Sequence, residues 1–211
     1  MVKAFVINLD RRKDRWESFQ QRFDGVDDLE LCRVSAVDHL TLKITRELKP
    51  RINEWNFKYA PDSVKKLAGC CMSHLNIWKI ISKLKEPALV FEDDCSFIND
   101  QTKQQFNNFL NTNSGNGIIW LNGANEIKPG MVLPELDFNL IQQPRKPHGN
   151  TTESYLISPS FANELYNSIV NNIGAVDVHM WQYINLHPTK AFQPKTPFFC
   201  QVDRSDSDIQ K

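Results

Sequence analysis

Ala88-Leu89-Val90-Phe91 runs directly into Glu92-Asp93-Asp94, with Pro87 in front of it. The apolar run is too short for a helix, and the proline bars helical backbone just before it, so the stretch predicts a buried central strand. Its charged end must then reach an edge of the sheet. In extended chain the side chains alternate, which puts Glu92 and Asp94 on one side, about 6.6–7 Å apart, and Asp93 on the other. Adjacent carboxylates repel one another unless a cation or hydrogen-bond donors intervene. Two outcomes stay open: a solvated acidic turn, or a seat for a hard cation, Mg²⁺ or Mn²⁺, that bridges the protein to substrate phosphates. The carboxyl edge of an open α/β sheet is where such ligands bind.

Elements on both sides of this strand alternate in type. Lys3 to Leu9 reads as a strand, and the charged stretch after it carries Trp16, Phe19 and Phe23 at helical spacing. Leu29 to Val37 reads as a second strand with Asp38 at its exit, and residues 38–64 as loop and short helix beside a cleft. From Ser63 to Leu84, Leu67, Cys71, Leu75, Trp78 and Ile81 recur every three or four positions, which predicts a helix packed on one face and closed by Pro87. Further on, Thr102 to Leu110 is expected as helix, Gly117 to Leu121 as strand turned by Asn122-Gly123, and 124–150 as loop over the active face. Ser154 to Ile157 follows as strand, Ser160 to Val170 and Val178 to Leu186 as helices, and Phe198 to Val202 as a last strand. The alternation predicts a three-layer α/β domain around a mostly parallel sheet.

The chain has 211 residues, which fits one domain over 1–211 with roughly 70% of its unfolded surface buried. Lys plus Arg count 25 and Asp plus Glu count 25, so no net field draws nucleic acid or an anionic membrane. No stretch approaches the ~20 apolar residues of a membrane span, and the apolar run at the start is shorter than a signal peptide needs. Five cysteines, an odd count without CxxC or finger spacing, are expected as reduced core thiols in a cytoplasmic setting. Phosphate-loop, dinucleotide, zincin and hydrolase-elbow motifs are all missing.

Other candidate residues each carry a bland alternative. Asn8-Leu9-Asp10-Arg11-Arg12-Lys13-Asp14-Arg15 leaves the first strand on the same edge as the carboxylates if the two strands are parallel. Its arginines can grip a diphosphate bidentately, or form a solvated first helical turn. Ser73 and His74 lie within the long helix, where a lone histidine is commonly structural. Asp177 precedes a helix and can serve as its N-cap.

Taken in order, VINLDRRKDR, the AVD of Ala36 to Asp38, GCCMSHLNIW from Gly69, LVFEDD from Leu89, IIWLNG, SYLIS, the AVD of Ala175 to Asp177 and the closing Q-x5-S-D-I of Gln201 to Ile209 resemble glycosyltransferase family 25 over nearly the whole chain. That family includes lipopolysaccharide galactosyltransferases, collagen galactosyltransferases and viral members. The resemblance implies a Rossmann-like GT-A fold and a nucleotide-sugar donor, most often a UDP-sugar. It also implies Mn²⁺ or Mg²⁺ as cofactor, transfer with inversion, and a glycan, glycolipid or glycoprotein acceptor. It puts the metal on Glu92 and Asp94, with Asp94 the direct ligand. Asn8 and Leu9 are expected beside the base, Asp38 beside the nucleoside, Arg12 or Arg15 beside the diphosphate, and Ser73, His74 and Asp93 elsewhere in the donor site. Inversion needs one base on the acceptor hydroxyl, and Asp177 is the candidate, with Asp203 and Asp208 as rivals. A catalytically silent nucleotide-sugar or glycan-binding module of the same fold is the competing reading.

Overall fold

The computed structural model describes residues 1–53, 58, 60–112, 116–123, 127–133, 136–142 and 152–202. The strand that opens the argument is β3 (Ala88–Glu92), fully buried up to Phe91. It pairs in parallel with β1 (Val2–Asn8), which pairs in parallel with β2 (Leu29–Ser35). On its other side lies β7 (Ser154–Ile157), antiparallel, followed by β5 (Ile118–Trp120), β8 (Ala191–Pro194) and β6 (Leu140–Gln142). The resulting order is β2-β1-β3-β7-β5-β8-β6, in which only β7 and β6 run against the rest. The sheet is therefore mixed and mostly parallel in direction. A two-stranded ribbon, β4 (Cys95–Phe97) with β9 (Phe199–Gln201), sits beside it.

Helices cover both faces. α1 (Lys13–Phe23) and α3 (Asp100–Thr112) bury Phe19, Phe23, Phe106 and Phe109 against Val6, Leu89 and Phe91. On the opposite face α2 (Pro61–Ile81), α4 (Pro159–Ile169) and α5 (Val176–Leu186) pack on Phe5, Ala88, Val90 and Tyr155. The period-two alternation of β3 thus splits its side chains between two cores. Helix α2 lies close against the chain leaving β2: a Cβ at Gly69 would stand 2.7 Å from the Val37 carbonyl oxygen, so only glycine fits there.

Several expectations need correction. α2 ends at Ile81, well short of Pro87, because Leu84 is already tied back to the Ile81 carbonyl in a turn. Asn122-Gly123 does not turn the chain; it continues beside β9, with Asn122 bridged to Phe199 and the Gly123 amide donating to the Phe199 carbonyl at 2.8 Å. β6 emerges inside the segment expected as loop. α5 begins at Val176 with Ala175 in the cap position and no side-chain cap, so Asp177 lies within the first turn and does not cap the helix. All five cysteines are free, yet only Cys71, Cys95 and Cys200 are buried, while Cys32 and Cys70 are half-exposed. No helix among the described residues is long and apolar enough to cross a membrane.

Candidate active site

Parallel pairing of β1 with β3 sets Ile7 opposite Glu92, so the next residues out, Asn8 and Asp93, meet at the carboxyl edge. Asn8 is buried, and its Nδ2 donates to Asp93 Oδ2 at 2.7 Å and to the Arg12 carbonyl at 2.9 Å. Its own Oδ1 accepts from Arg33 Nε at 2.7 Å. Arg15, one turn into α1, reaches Asp93 Oδ1 at 2.8 Å and stands 4.0 Å from Asp94 Oδ2. Arg22 approaches from behind, donating to the main-chain carbonyls of Asp93 at 2.6 Å and Cys95 at 3.0 Å. Even so, burial pushes the Asp93 carboxyl above its ordinary range against the opposing pull of Arg15 and Asn8.

Glu92, the last residue of β3, turns to the α2 face. His74 Nε2 lies 3.4 Å from its Oε1, and the Thr152 hydroxyl donates to the same oxygen. His74 Nδ1 is 2.7 Å from the Tyr155 hydroxyl, which also accepts from Trp78 Nε1 at 2.9 Å. Burial raises the Glu92 carboxyl, but His74, Thr152 and Arg15 together outweigh it and hold it below the usual range. Cys70, one helical turn before His74, brings its thiol to the same place: Cys70, His74 and Glu92 each present a ligand atom within 4.8 Å of the others.

Asp94 lies beyond the end of β3, in the turn to β4, so strand alternation no longer directs it. Its Oδ2 accepts from Gln201 Nε2 at 2.8 Å, while its Oδ1 is buried and has no hydrogen-bond partner among the described residues. Burial, followed by the Glu92 charge, pushes this carboxyl up to about 7. A buried carboxylate oxygen with nothing to accept from is costly, and a hard divalent cation is the partner that would satisfy it. The donor set at Asp94 fits such an ion. Asp177 joins the neighbourhood from α5: burial and then the Glu92 charge raise its carboxyl, although Val178 N donates to its Oδ1 at 2.8 Å.

The remaining sequence candidates spread around the same edge. The Leu9 carbonyl accepts from the Arg12 amide at 2.8 Å, and the Arg12 side chain pairs with Asp14, also at 2.8 Å. Asp38 accepts from Arg11 Nε at 2.8 Å and from the Leu40 amide at 3.0 Å; burial opposes these bonds, which still hold its carboxyl low. The Ser73 hydroxyl donates to the Gly69 carbonyl at 2.7 Å and accepts from the Val37 amide at 2.9 Å, fastening α2 to the chain after β2. Asp203 and Asp208 lie outside the described residues. Sequence reasoning missed Cys70, Thr152, Tyr155 and Gln201. Cys70 carried a spacing signal, four residues from His74 on one helix face, and Tyr155 and Gln201 lie in the quoted family motifs SYLIS and Q-x5-S-D-I, while Thr152 carried none.

The open, mixed α/β sheet with carboxylates and guanidinium groups at its carboxyl edge is consistent with the Rossmann-like fold of GT-A-type glycosyltransferases. Residues 1–180 match the family model described as Glycosyltransferase family 25 (LPS biosynthesis protein), and the chain belongs to that family. It is 33% identical over 98 residues to the R655 protein of Acanthamoeba polyphaga mimivirus, named as a glycosyltransferase, a match covering 46% of this chain and 29% of that protein. It is 31% identical over 101 residues to a glycosyltransferase 25 family member of Drosophila melanogaster, covering 45% of this chain and 16% of that one. The matches thus span less than a third of either relative. Among solved structures, mouse xyloside xylosyltransferase 1 in its apo form aligns over 90% of this chain and 70% of its own, with 12% identity and a TM-score of 0.39.

Proposed function

We propose that this chain is a metal-dependent inverting glycosyltransferase that moves a hexosyl or pentosyl group from a UDP-sugar to a hydroxyl of a glycan, glycolipid or glycoprotein. The observation that carries the reading is Asp94 Oδ1, buried and without a partner among the described residues, at the carboxyl edge of a family 25 chain. Asp94 and Glu92 would hold Mn²⁺ or Mg²⁺, and the bound cation supplies positive charge against the departing diphosphate. Arg15 and Asn8 keep Asp93 oriented, so the acidic turn holds its shape without the donor. Asp177 takes the proton from the acceptor hydroxyl as that oxygen attacks the anomeric carbon from the side opposite the diphosphate. Burial raises its carboxyl, which makes it a stronger base than a solvated aspartate. The free cysteines suit work in a reducing, cytosol-like compartment.

A thermal-shift panel of UDP, GDP and CMP with and without Mn²⁺ tests the donor, since a ligand that binds only native protein stabilises by RT ln(1 + [L]/Kd). UDP with Mn²⁺ is expected to give the largest shift, and Asp94→Ala to abolish its Mn²⁺ dependence. A larger shift with GDP or CMP, or an undiminished one in the variant, would overturn the assignment.

A further inference from the structure

Cys70, His74 and Glu92 offer a set of ligand atoms unlike that of the acidic turn: a sulfur, an imidazole nitrogen and one carboxylate oxygen. Cys70 and His74 are four residues apart on α2 and so share one helix face, directed at the end of β3. Zinc binds imidazole nitrogen and carboxylate oxygen at about 2.0–2.2 Å, and a tetrahedral angle at the metal then separates two such ligands by about 3.4 Å. His74 Nε2 and Glu92 Oε1 stand 3.4 Å apart. That gap is long for a hydrogen bond and suits a shared metal. The same construction puts a thiolate sulfur about 3.6 Å from either ligand, so the 4.8 Å within which all three atoms lie leaves the side chains little more than an ångström to close.

The surroundings complete a metal site. A metal-binding histidine commonly donates from its other ring nitrogen to a fixed acceptor, which sets its tautomer. His74 Nδ1 meets the Tyr155 hydroxyl at 2.7 Å, and Trp78 Nε1 fixes that hydroxyl from the other side at 2.9 Å. Asp177, whose carboxyl interacts electrostatically with Glu92, His74 and Cys70, adds negative charge. His74 and Tyr155 are fully buried, while Cys70 and Glu92 are partly buried residues at the border of the core. Sulfur disfavours Mg²⁺ and Mn²⁺ and selects softer ions.

We infer that Cys70, His74 and Glu92 form a binding site for a thiophilic divalent cation, Zn²⁺ foremost, that shares Glu92 with the acidic turn and differs from it in ligand chemistry. Binding forms a metal–sulfur bond and releases the thiol proton to solvent. Because Glu92 cannot serve both places fully, zinc at this site opposes Mn²⁺ at the turn. Cys70 and His74 take no part in the proposed transferase metal site, and Glu92 alone is common to both.

Cobalt(II) titrated into the metal-free full chain is the test, because cobalt–thiolate bonding gives a near-ultraviolet charge-transfer band that oxygen and nitrogen ligands lack. One equivalent should develop the band, and Zn²⁺ should displace it. Cys70→Ser and Cys70→Ala should each lose it with unchanged circular dichroism, while Cys71→Ser keeps it. Tyr155→Phe should retain the band but weaken binding about 10–100-fold, the usual cost of losing a partner behind a ligand. A parent chain that shows no thiolate band, or a band that survives both Cys70 variants, overturns the site. Mn²⁺-dependent binding of UDP, measured in parallel, reports separately on the transferase reading.

Discussion

The two faces of the central sheet meet the same strand with different chemistry. On the α1 and α3 side the core is a cluster of phenylalanines: Phe23 lies 4.9 Å from Phe91 and from Phe97, and Phe106 lies 4.9 Å from Phe199, between ring centroids. On the α2 side a line of hydrogen bonds runs from Trp78 through Tyr155 to His74, with the Glu92 carboxylate 3.4 Å beyond it, all within or beside the apolar core. An aromatic cluster gains its stability from area and shape, and a substitution costs it in proportion to the volume removed. A buried polar line has no such gradation, since each missing partner leaves a desolvated group behind. The reactive edge sits where the polar line surfaces, and the aromatic face anchors the opposite side of β3.

The sharpest way to break this contrast lies at Asp177. Asp177→Asn is expected to slow sugar transfer by about 10²–10⁴-fold, the usual cost of deleting a positioned base, once an acceptor is in hand. Because Ala175 holds the cap position of α5, the melting temperature should stay near the parent's. Near-parental turnover would shift the base to Asp203 or Asp208. On the aromatic face, Phe106→Ala should cost about 3–5 kcal/mol in urea unfolding while UDP binding by the folded fraction is kept. Lost donor binding at full folding would show that the two faces are coupled.

A third measurement uses pH. The Asp94 carboxyl is raised in the folded chain to about 7, so between about pH 4 and pH 7 the folded state holds a proton that the unfolded state has released. Without added metal, stability should therefore fall as pH rises through that window, by a few kcal/mol at most at about 1.4 kcal/mol per unit. Asp93 and Asp177, also raised by burial, act in the same direction. Asp94→Asn should flatten the dependence measured by chemical denaturation in chelator; an unchanged slope would assign it to the other two. The smallest effect is expected from Tyr155→Phe. It leaves Trp78 Nε1 and His74 Nδ1 without their shared oxygen and should cost about 1–3 kcal/mol, with the aromatic packing intact.

Sequence pattern reaches the elements whose side chains are sorted by burial. β3, α2 and β7 are legible because unbroken or periodic apolar residues mark them: β3 and β7 are almost wholly inside, and α2 buries one face. β6 and β8 escape notice: Leu140–Gln142 is a short, partly exposed edge strand and Ala191–Pro194 a short strand beside it, both held by pairing rather than by composition. β4 hides because it follows the carboxylates at once and pairs with the distant β9. The acidic triplet could be read from its place after an apolar strand. Its partners could not: Gln201 and Thr152 reach Asp94 and Glu92 across 107 and 60 residues, and no local spacing encodes such contacts. Asp177 misleads because aspartate is favoured both as a cap and in a first turn, and only the backbone of Ala175 separates the two roles.

Arg22 grips main chain where the neighbouring arginine grips side chain. Two of its nitrogens hold the carbonyls on either side of Asp94, so the path of the acidic turn is fixed through its main chain. The carboxylates can then trade partners, protons or cations while the backbone beneath them stays put. A substrate arriving at this edge finds the turn already shaped, and the entropy of shaping it was spent when the chain folded. Exchange of ligands at the turn becomes a matter of side-chain rotation alone, a local motion that need not wait for loops to reorder.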